Sequence, residues 1–348
     1  MLAAKSYPDK GCLHNMQEQT KFVWNEAPYG SSELKREAAL RYSSSRADSL
    51  LLAEGLKCCI RDCEEIVARR HRGEKPSFCP SHGISISTKP TYIYRDVERN
   101  FIVGNEILQR ISKVERWRLG FETSEDALSW NVFVGLYALG GLGEAFKKLT
   151  GISPTDEPEL YLWGNRIGTE CSKWEKLDAA RMVFESGIAI PTEPDIMLRV
   201  PRQAIVLIEA KFGSSNSRLA TKRSRFGSIT EFFDRYKCIA GAKDPLNRTW
   251  ISAQKDDDVL EQLCRNAVFA HWLASGSEQP VVINLVRQRA ANDGQLFGEH
   301  LSGNGVRFHV RHWEDLYDVS TMRRHDASVL RSYLENKTLI LRPPSICN

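Results

Sequence analysis

The sequence predicts an α/β protein in which helices flank a mixed β-sheet, with a small metal-binding module before it. Two β-rich runs between Ile188 and Lys211 and an apolar run over 280–286 indicate buried strands. Hydrophobic residues at helical spacing before and after these runs predict the flanking helices. Four cysteines crowded between Cys58 and Cys79 predict the separate module.

The composition is that of an ordinary soluble chain. Its 348 residues are 42% apolar and 26% charged, which suits one large domain or two smaller ones. Charged residues from Lys5 to Lys10 interrupt any secretory signal, and the run 132–143 is too short and glycine-rich to span a bilayer. We therefore expect a cytoplasmic protein with no membrane partner. A net charge of +4 does not by itself indicate a nucleic-acid partner.

Three segments follow one another along the chain. Residues 1–50 are polar and weakly periodic, and they are expected to form an N-terminal arm. Residues 51–90 contain the cysteine and histidine residues of the expected zinc-binding module. Residues 91–348 have the pattern of one continuous globular domain.

The elements of the large domain are predicted from hydrophobic spacing. Helices are expected over 96–119, 124–139 and 256–274, with glycines at 140, 141 and 143 ending the second one. Strands are expected in the two runs of 188–211 and over 280–286 and 307–310.

The hairpin within 188–211 sets the register of its polar residues. A three-residue turn centred on Arg202 places Asp195 directly opposite Glu209. Because side chains alternate along a strand, Lys211 lies on the same face as Glu209. The sequence therefore predicts that two acids and one lysine meet at the open end of the hairpin.

Two facing carboxylates at the end of an apolar hairpin repel each other, and burial increases the cost. A bound divalent cation removes this conflict, and hard oxygen ligands suit Mg²⁺, or Mn²⁺ in its place. Lys211 adds a donor that can orient water or stabilise charge on a phosphate. The alternative is an exposed hairpin end that carries ordinary surface charges.

Pro194-Asp195, a hairpin and then Glu209-Ala210-Lys211 together resemble the signature of the PD-(D/E)xK nucleases. The resemblance implies a restriction-endonuclease-like fold over roughly residues 95 to 320. It also implies that Asp195 and Glu209 bind the metal, and that Lys211 assists the nucleophilic water.

The same resemblance implies supporting residues on two helices. Glu125, at the start of the second helix, matches the acid that the family usually carries there, and Asp126 is the alternative metal ligand. Acids in a first helical turn also complement the helix dipole without any further role. Gln262 matches the glutamine that many members direct toward the active site, and Arg265 and Asn266 can share its helix face. A solvated helix face is the alternative.

A basic segment lies between the hairpin and this last helix. It contains Arg218, Lys222, Arg223 and Arg225. Clustered cations beside the predicted site suit contacts to nucleic-acid phosphates, which position a strand without reading its sequence. An exposed loop without a partner is the alternative.

Cys58, Cys63, Cys79 and His82 have the spacing of two knuckle-like pairs. Such thiolate and imidazole ligands are typical of a structural Zn²⁺ site, with Cys59 as the alternative to Cys58. A segment this short has little core of its own, so the metal would supply its folding energy. Whether the basic residues of 69–75 contact DNA or the module braces the large domain stays open.

The predicted function is a Mg²⁺-dependent nuclease that cleaves phosphodiester bonds, with DNA preferred over RNA as substrate. A role in restriction or phage defence rests on analogy of architecture alone. One alternative is a non-catalytic, zinc-containing DNA-binding protein with a degenerate nuclease core. Another is a nuclease subunit that is active only in a complex. A homodimer or a partner subunit is compatible with either.

Overall fold

The computed structural model describes Trp24 together with residues 56–58, 63–67, 77–86, 92–111, 116–168, 172–188, 191–219, 226, 228–236, 244–288, 294–303 and 305–338. Of the predicted N-terminal arm, Trp24 alone falls within this set. It pairs with Val103 and packs against the core of the large domain.

Ten strands form one large sheet and two small hairpins in the described part of the chain. They are β1 (Leu56–Lys57), β2 (Ile66–Val67), β3 (Ile84–Ile86), β4 (Tyr92–Tyr94), β5 (Glu159–Leu162), β6 (Asn165–Arg166), β7 (Ile196–Val200), β8 (Ala204–Ala210), β9 (Gln279–Val286) and β10 (Arg307–His312). The large sheet has the order β10-β9-β8-β7-β5-β6, while β1 pairs with β2 and β3 with β4.

The large sheet is mixed, as the sequence predicted. Strands β8, β9 and β10 run parallel, and β7, β5 and β6 add antiparallel pairs on the other side of β8. Every residue of β8 is buried, so this strand lies within the sheet and is covered on both faces. A strand covered on both faces has a continuous apolar run instead of alternating polar residues.

Helices cover both faces of the sheet. The α-helices of the described residues are α1 (Asn105–Leu108), α2 (Glu125–Ala138), α3 (Leu142–Thr150), α4 (Glu175–Glu185), α5 (Ile229–Arg235), α6 (Arg248–Ser252), α7 (Glu261–Leu273) and α8 (Ser328–Thr338). Helices α2, α3 and α8 pack on one face, against Leu198 and Val206 among others. Helices α4 and α7 pack on the opposite face, against Met197 and Leu207.

The helix expected over 96–119 is wrong. Two 3₁₀ turns, Val97–Asn100 and Arg116–Gly120, and the short α1 take its place. Gly104 has a φ of 70°, a left-handed conformation that breaks a helix. The buried Asn100 side chain also donates hydrogen bonds to the Leu119 and Phe121 carbonyls, which folds the segment back on itself.

The other predicted helices are confirmed with shifted ends. Helix α2 begins after Ser124, whose hydroxyl accepts a hydrogen bond from the Ala127 amide at 3.2 Å. Gly140 follows it with a φ of 67°, and the sequence did not predict that α3 begins directly after. The helix expected from residue 256 begins at Glu261, after a 3₁₀ turn over Asp256–Asp258.

The register predicted for the β7–β8 hairpin is confirmed. Val200 pairs with Ala204 and Ile196 with Ile208, around a turn in which Arg202 has a φ of 65°. The Glu278 carboxylate accepts hydrogen bonds from the Arg202 amide at 3.2 Å and from the Arg199 guanidinium at 2.7 Å. One buried acid therefore holds both the turn and the strand that leads into it.

The left-handed turn residue makes a test of this hairpin possible. We predict that Arg202→Gly raises the free energy of unfolding by about 1 kcal/mol, because glycine removes the cost of a left-handed side chain. Urea unfolding measures the change. Arg202→Ala is the matched control, since it removes the same exposed side chain but keeps the Cβ; equal stability of the two variants would contradict the prediction.

Candidate active site

Asp195, Glu209 and Lys211 meet at the open end of the β7–β8 hairpin. The Asp195 carboxylate accepts a hydrogen bond from the Ala210 amide at 2.9 Å, which fixes it beside the next strand. The Lys211 ammonium lies 2.5 Å from a carboxylate oxygen of Glu209. Glu209 and Lys211 are 4% and 8% exposed, so this is a buried charged group and not a solvated hairpin end.

Two acids share one lysine in this group. Burial and the nearby Glu209 carboxylate raise the pKa of Asp195 well above its usual value, although Lys211 opposes the shift. Burial alone would lower the pKa of Lys211, but Glu209, Asp195 and Glu125 outweigh it and raise that pKa. Lys211 is therefore held protonated. Its single positive charge offsets only part of the negative charge that Asp195 and Glu209 would carry together.

Asn266 of α7 contacts Glu209. Its side-chain amide donates to the second carboxylate oxygen of Glu209 at 3.0 Å. Gln262, four residues earlier, instead accepts a hydrogen bond from the Ser217 amide at 3.1 Å and so holds the chain that follows the site. The sequence placed both residues on one helix face but did not show which of them contacts Glu209.

A buried polar network lies behind the site. The Glu185 carboxylate accepts hydrogen bonds from the Tyr236 hydroxyl at 2.6 Å and from the amide and hydroxyl of Thr192. Arg265 of α7 donates to the Thr192 hydroxyl at 2.7 Å. Thr192 precedes Asp195 by three residues, so the network fixes the approach to β7. No spacing in the sequence predicted it, because its members come from four separate segments.

Glu125 lies at the start of α2, as predicted, but its carboxylate is bound by backbone amides. One of its oxygens accepts from the amides of Phe212, Gly213 and Ser214 at 2.7, 3.1 and 3.1 Å. The neighbouring Asp126 accepts from the Trp163 indole at 2.9 Å. Both acids of this first turn therefore hold other parts of the chain.

The three predicted magnesium ligands are neighbours but do not form a closed cage. Among the described residues, one group of three or more potential ligands has all its ligand atoms within 4.8 Å of one another, and it consists of cysteines and a histidine. The oxygens of Glu209 face Lys211 and Asn266, and Glu125 faces the loop amides. A shared cation would require at least one of these carboxylates to turn.

Asn284 of β9 lies next to Glu209 in the sheet register. Its side chain is fully buried, and neither amide atom has a hydrogen-bond partner among the described residues. A buried amide left in this way costs on the order of 1–3 kcal/mol. Asn284 is therefore a further polar side chain beside Glu209. The sequence analysis did not single it out, because it lies within the apolar run over 280–286.

The predicted phosphate-binding segment is described only in part. Arg218 is partly exposed and lies 3.8 Å from the Asp258 carboxylate. Lys222, Arg223 and Arg225 lie outside the described residues. Contacts between this segment and a nucleic acid stay a prediction.

Cys58, Cys63, Cys79 and His82 form the compact group noted above. The Cys79 sulfur lies 3.5 Å from the His82 ring nitrogen and 3.9 Å from the Cys63 sulfur. Although burial opposes the shift, hydrogen bonds from His82 and Cys58 lower the pKa of Cys79 to about 7. A thiol that loses its proton this readily suits a zinc ligand. Cys59, the alternative ligand, lies outside the described residues.

Two arginines attach this cluster to the large domain. Arg95 donates to the Cys79 carbonyl at 2.9 Å, and Arg99 donates to the His82 carbonyl at 2.8 Å. Strand β4, just before them, pairs with β3 and bridges to Phe121, four residues before Glu125. These contacts favour bracing of the domain as one role of the module.

Comparison of the chain with protein-family models, with curated protein sequences and with solved structures finds no match. Within the described residues, no helix combines the length and apolar character needed to cross a bilayer. The geometry and chemistry of the residues therefore carry the functional proposal.

One lysine only partly offsets the charge of the two acids. We therefore predict that neutralising Asp195 raises the free energy of unfolding, and that the increase depends on pH. We expect Asp195→Asn to stabilise the protein by about 1–3 kcal/mol at neutral pH or above in buffer without Mg²⁺ or Mn²⁺, since it removes a poorly paired, partly buried charge but keeps the acceptor for Ala210. The gain should vanish as the pH falls to the ordinary carboxyl pKa, because the wild-type acid is then neutral in both folded and unfolded states.

Urea unfolding over a pH series measures this difference, with Asp156→Asn as an exposed control. A gain that grows toward acid pH would contradict the proposed charge state of Asp195.

The group of Cys58, Cys63, Cys79 and His82 predicts how much zinc the protein carries. The wild-type protein should carry about one zinc per chain, and Cys79→Ser should lose it together with stability, because metal binding supplies the folding energy of so small a module. Elemental analysis of the purified protein measures zinc directly. Cys264→Ala, at a buried cysteine of α7, should keep the metal; a zinc-free, fully folded wild-type protein would refute the site.

Proposed function

We propose that the chain is a metal-dependent nuclease with Asp195, Glu209 and Lys211 in its active site. The observation that carries the proposal is the pairing of two acids with one lysine at the buried end of the hairpin. A structural ion pair needs one acid, and a second buried acid beside it is destabilising. Such an arrangement is typical of a site that binds a cation and an anionic substrate together.

The donor set suits Mg²⁺ or Mn²⁺. Asp195, Glu209 and Glu125 offer hard carboxylate oxygens, and a divalent cation would offset the burial and the Glu209 repulsion that together raise the pKa of Asp195. When bound, the metal would lower the pKa of a water ligand and offset charge on the phosphate.

Lys211 acts in its charged form. The carboxylates around it raise its pKa, so it does not readily take a proton from water. It instead donates hydrogen bonds, and it can orient the attacking water or stabilise the negative charge that develops on the phosphate. The Asn266 amide holds the other oxygen of Glu209 and thereby limits the rotation of that acid.

The substrate class is a nucleic acid, with DNA preferred. The basic segment that begins at Arg218 follows the site in the chain and suits contacts to the phosphate backbone. Gln262 holds the chain at Ser217, the residue before Arg218. Nuclease activity in restriction or phage defence stays an analogy of architecture.

A non-catalytic DNA-binding protein is the principal alternative, and a nuclease subunit that needs a partner is the second. The acid pair argues against pure binding, because negative charge weakens contact with phosphates. Cleavage by the purified chain would distinguish the proposed nuclease from both alternatives.

Cleavage of labelled DNA and RNA by the full chain in Mg²⁺ or Mn²⁺ tests the proposal. Asp195→Ala and Lys211→Ala should lower the rate by about 10²-fold or more, the usual effect of removing a charged group from such a site. Glu299→Ala and Lys147→Ala change equivalent charges at exposed positions and should cleave as the wild-type protein does.

Two results would contradict the proposal in different ways. Unchanged cleavage by the Asp195 and Lys211 variants would place the active site elsewhere. DNA binding without cleavage in either metal would favour the binding protein, or a subunit whose activity needs a partner chain.

A further inference from the structure

The loop that follows Lys211 presents a set of converging hydrogen-bond donors. The amides of Phe212, Gly213 and Ser214 all point to one carboxylate oxygen of Glu125, at 2.7, 3.1 and 3.1 Å. The Ser214 hydroxyl donates to the same oxygen at 2.8 Å. Four donors therefore meet at one point, where a negatively charged oxygen is bound.

Successive backbone amides that converge in this way form a concave anion site, which in other proteins commonly holds phosphate. The three amides and the hydroxyl form what we call the amide nest, defined by residues 212–214. A carboxylate oxygen and a non-bridging phosphate oxygen carry similar charge and accept hydrogen bonds in similar ways. The Glu125 carboxylate thus stands in for an anion of the phosphate type.

The amide nest lies directly beside the proposed active site. It begins one residue after Lys211, whose main-chain position is fixed by hydrogen bonds to Leu285 and Trp313. Gly213 and Ser214 are exposed, and a Cβ built on Gly213 would meet nothing within 4 Å. An incoming phosphate would therefore have access to the donors if Glu125 moved.

We propose that the amide nest binds a non-bridging phosphate oxygen of the nucleic-acid substrate, and that Glu125 fills it in this structure. The inference rests on the proposed function for the identity of the substrate. Glu125 cannot bind the nest and a metal ion with the same oxygen in the same orientation. When Glu125 turns toward a cation held by Asp195 and Glu209, it vacates the nest, so cation and phosphate binding favour each other.

A purely structural role for Glu125 is the competing explanation, in which the carboxylate only ties the loop to α2. The two explanations differ in what an empty nest does. If the nest binds phosphate, removal of the Glu125 side chain exposes an anion site. If the carboxylate is only a tie, its removal loosens the loop and exposes nothing.

The first experiment measures binding of inorganic phosphate and of a labelled DNA oligonucleotide to the full chain in buffer without added Mg²⁺ or Mn²⁺. Glu125→Ala should bind both about 10-fold more tightly than the wild-type protein, because several charge-assisted hydrogen bonds become available. Glu125→Gln keeps an oxygen in the nest and should gain much less. Glu175→Ala removes an equivalent acid from the first turn of α4 and controls for net charge.

The expected order of affinity is Glu125→Ala first, with Glu125→Gln and Glu175→Ala close together. Adding Ser214→Ala to Glu125→Ala should reverse most of the gain. Equal gains in Glu125→Ala and Glu125→Gln would assign the effect to lost charge and overturn the proposal. Equal affinity of Glu125→Ala and Glu175→Ala would overturn it as well.

A second measurement keeps Glu125 and so does not depend on the folding of the Glu125 variants. In Ca²⁺, Ser214→Ala should weaken oligonucleotide binding several-fold, and the adjacent exposed Ser215→Ala should not. Equal binding by both serine variants would overturn the proposal.

These binding assays need no turnover. Cleavage that depends on Asp195 in a protein whose nest fails both tests would leave the nuclease proposal intact. If the nest binds phosphate but the protein cleaves no nucleic acid, the proposed phosphate site would still stand.

Discussion

The register of the β7–β8 hairpin is the constraint on which the rest of the site depends. A shift of one residue would turn every side chain of β8 to the opposite face and would separate Glu209 from Asp195. The register is set at the far end of the hairpin, where Glu278 binds the Arg202 amide and the Arg199 side chain. The geometry of the acids is therefore determined by a turn at the other end of two strands.

The sheet and its helices turn this register into a buried site. Strand β8 pairs with β7 on one side and β9 on the other, so Glu209 has neighbours on both sides and α7 above it. The Arg265 and Glu185 network holds Thr192 and with it the chain that enters β7. Helix α2 contributes Glu125 from the opposite layer, which places the site at one end of the sheet where both helical layers meet.

The sequence predicted the sheet, the hairpin and the meeting of the two acids because these features follow from local rules. Alternation and turn length fix a hairpin register without knowledge of the remaining chain. The rotation of a helix on a sheet depends on packing, so Gln262 and Asn266 could not be distinguished before the structure. The segment from 96 to 119 failed for the same reason: the buried Asn100 bonds to carbonyls 19 and 21 residues away, which local spacing cannot show.

The attachment of the three-cysteine, one-histidine group through Arg95 and Arg99 has a consequence for the order of folding during synthesis. The four potential ligands lie N-terminal to both arginines and to every strand of the large sheet, so they leave the ribosome first. A zinc ion bound at that stage would give the emerging chain an ordered surface of carbonyl groups. Strand β4 and the segment before α2 could then dock on this surface before the distant strands of the sheet have been made. The small module would then guide folding of the chain during synthesis and also brace the folded protein.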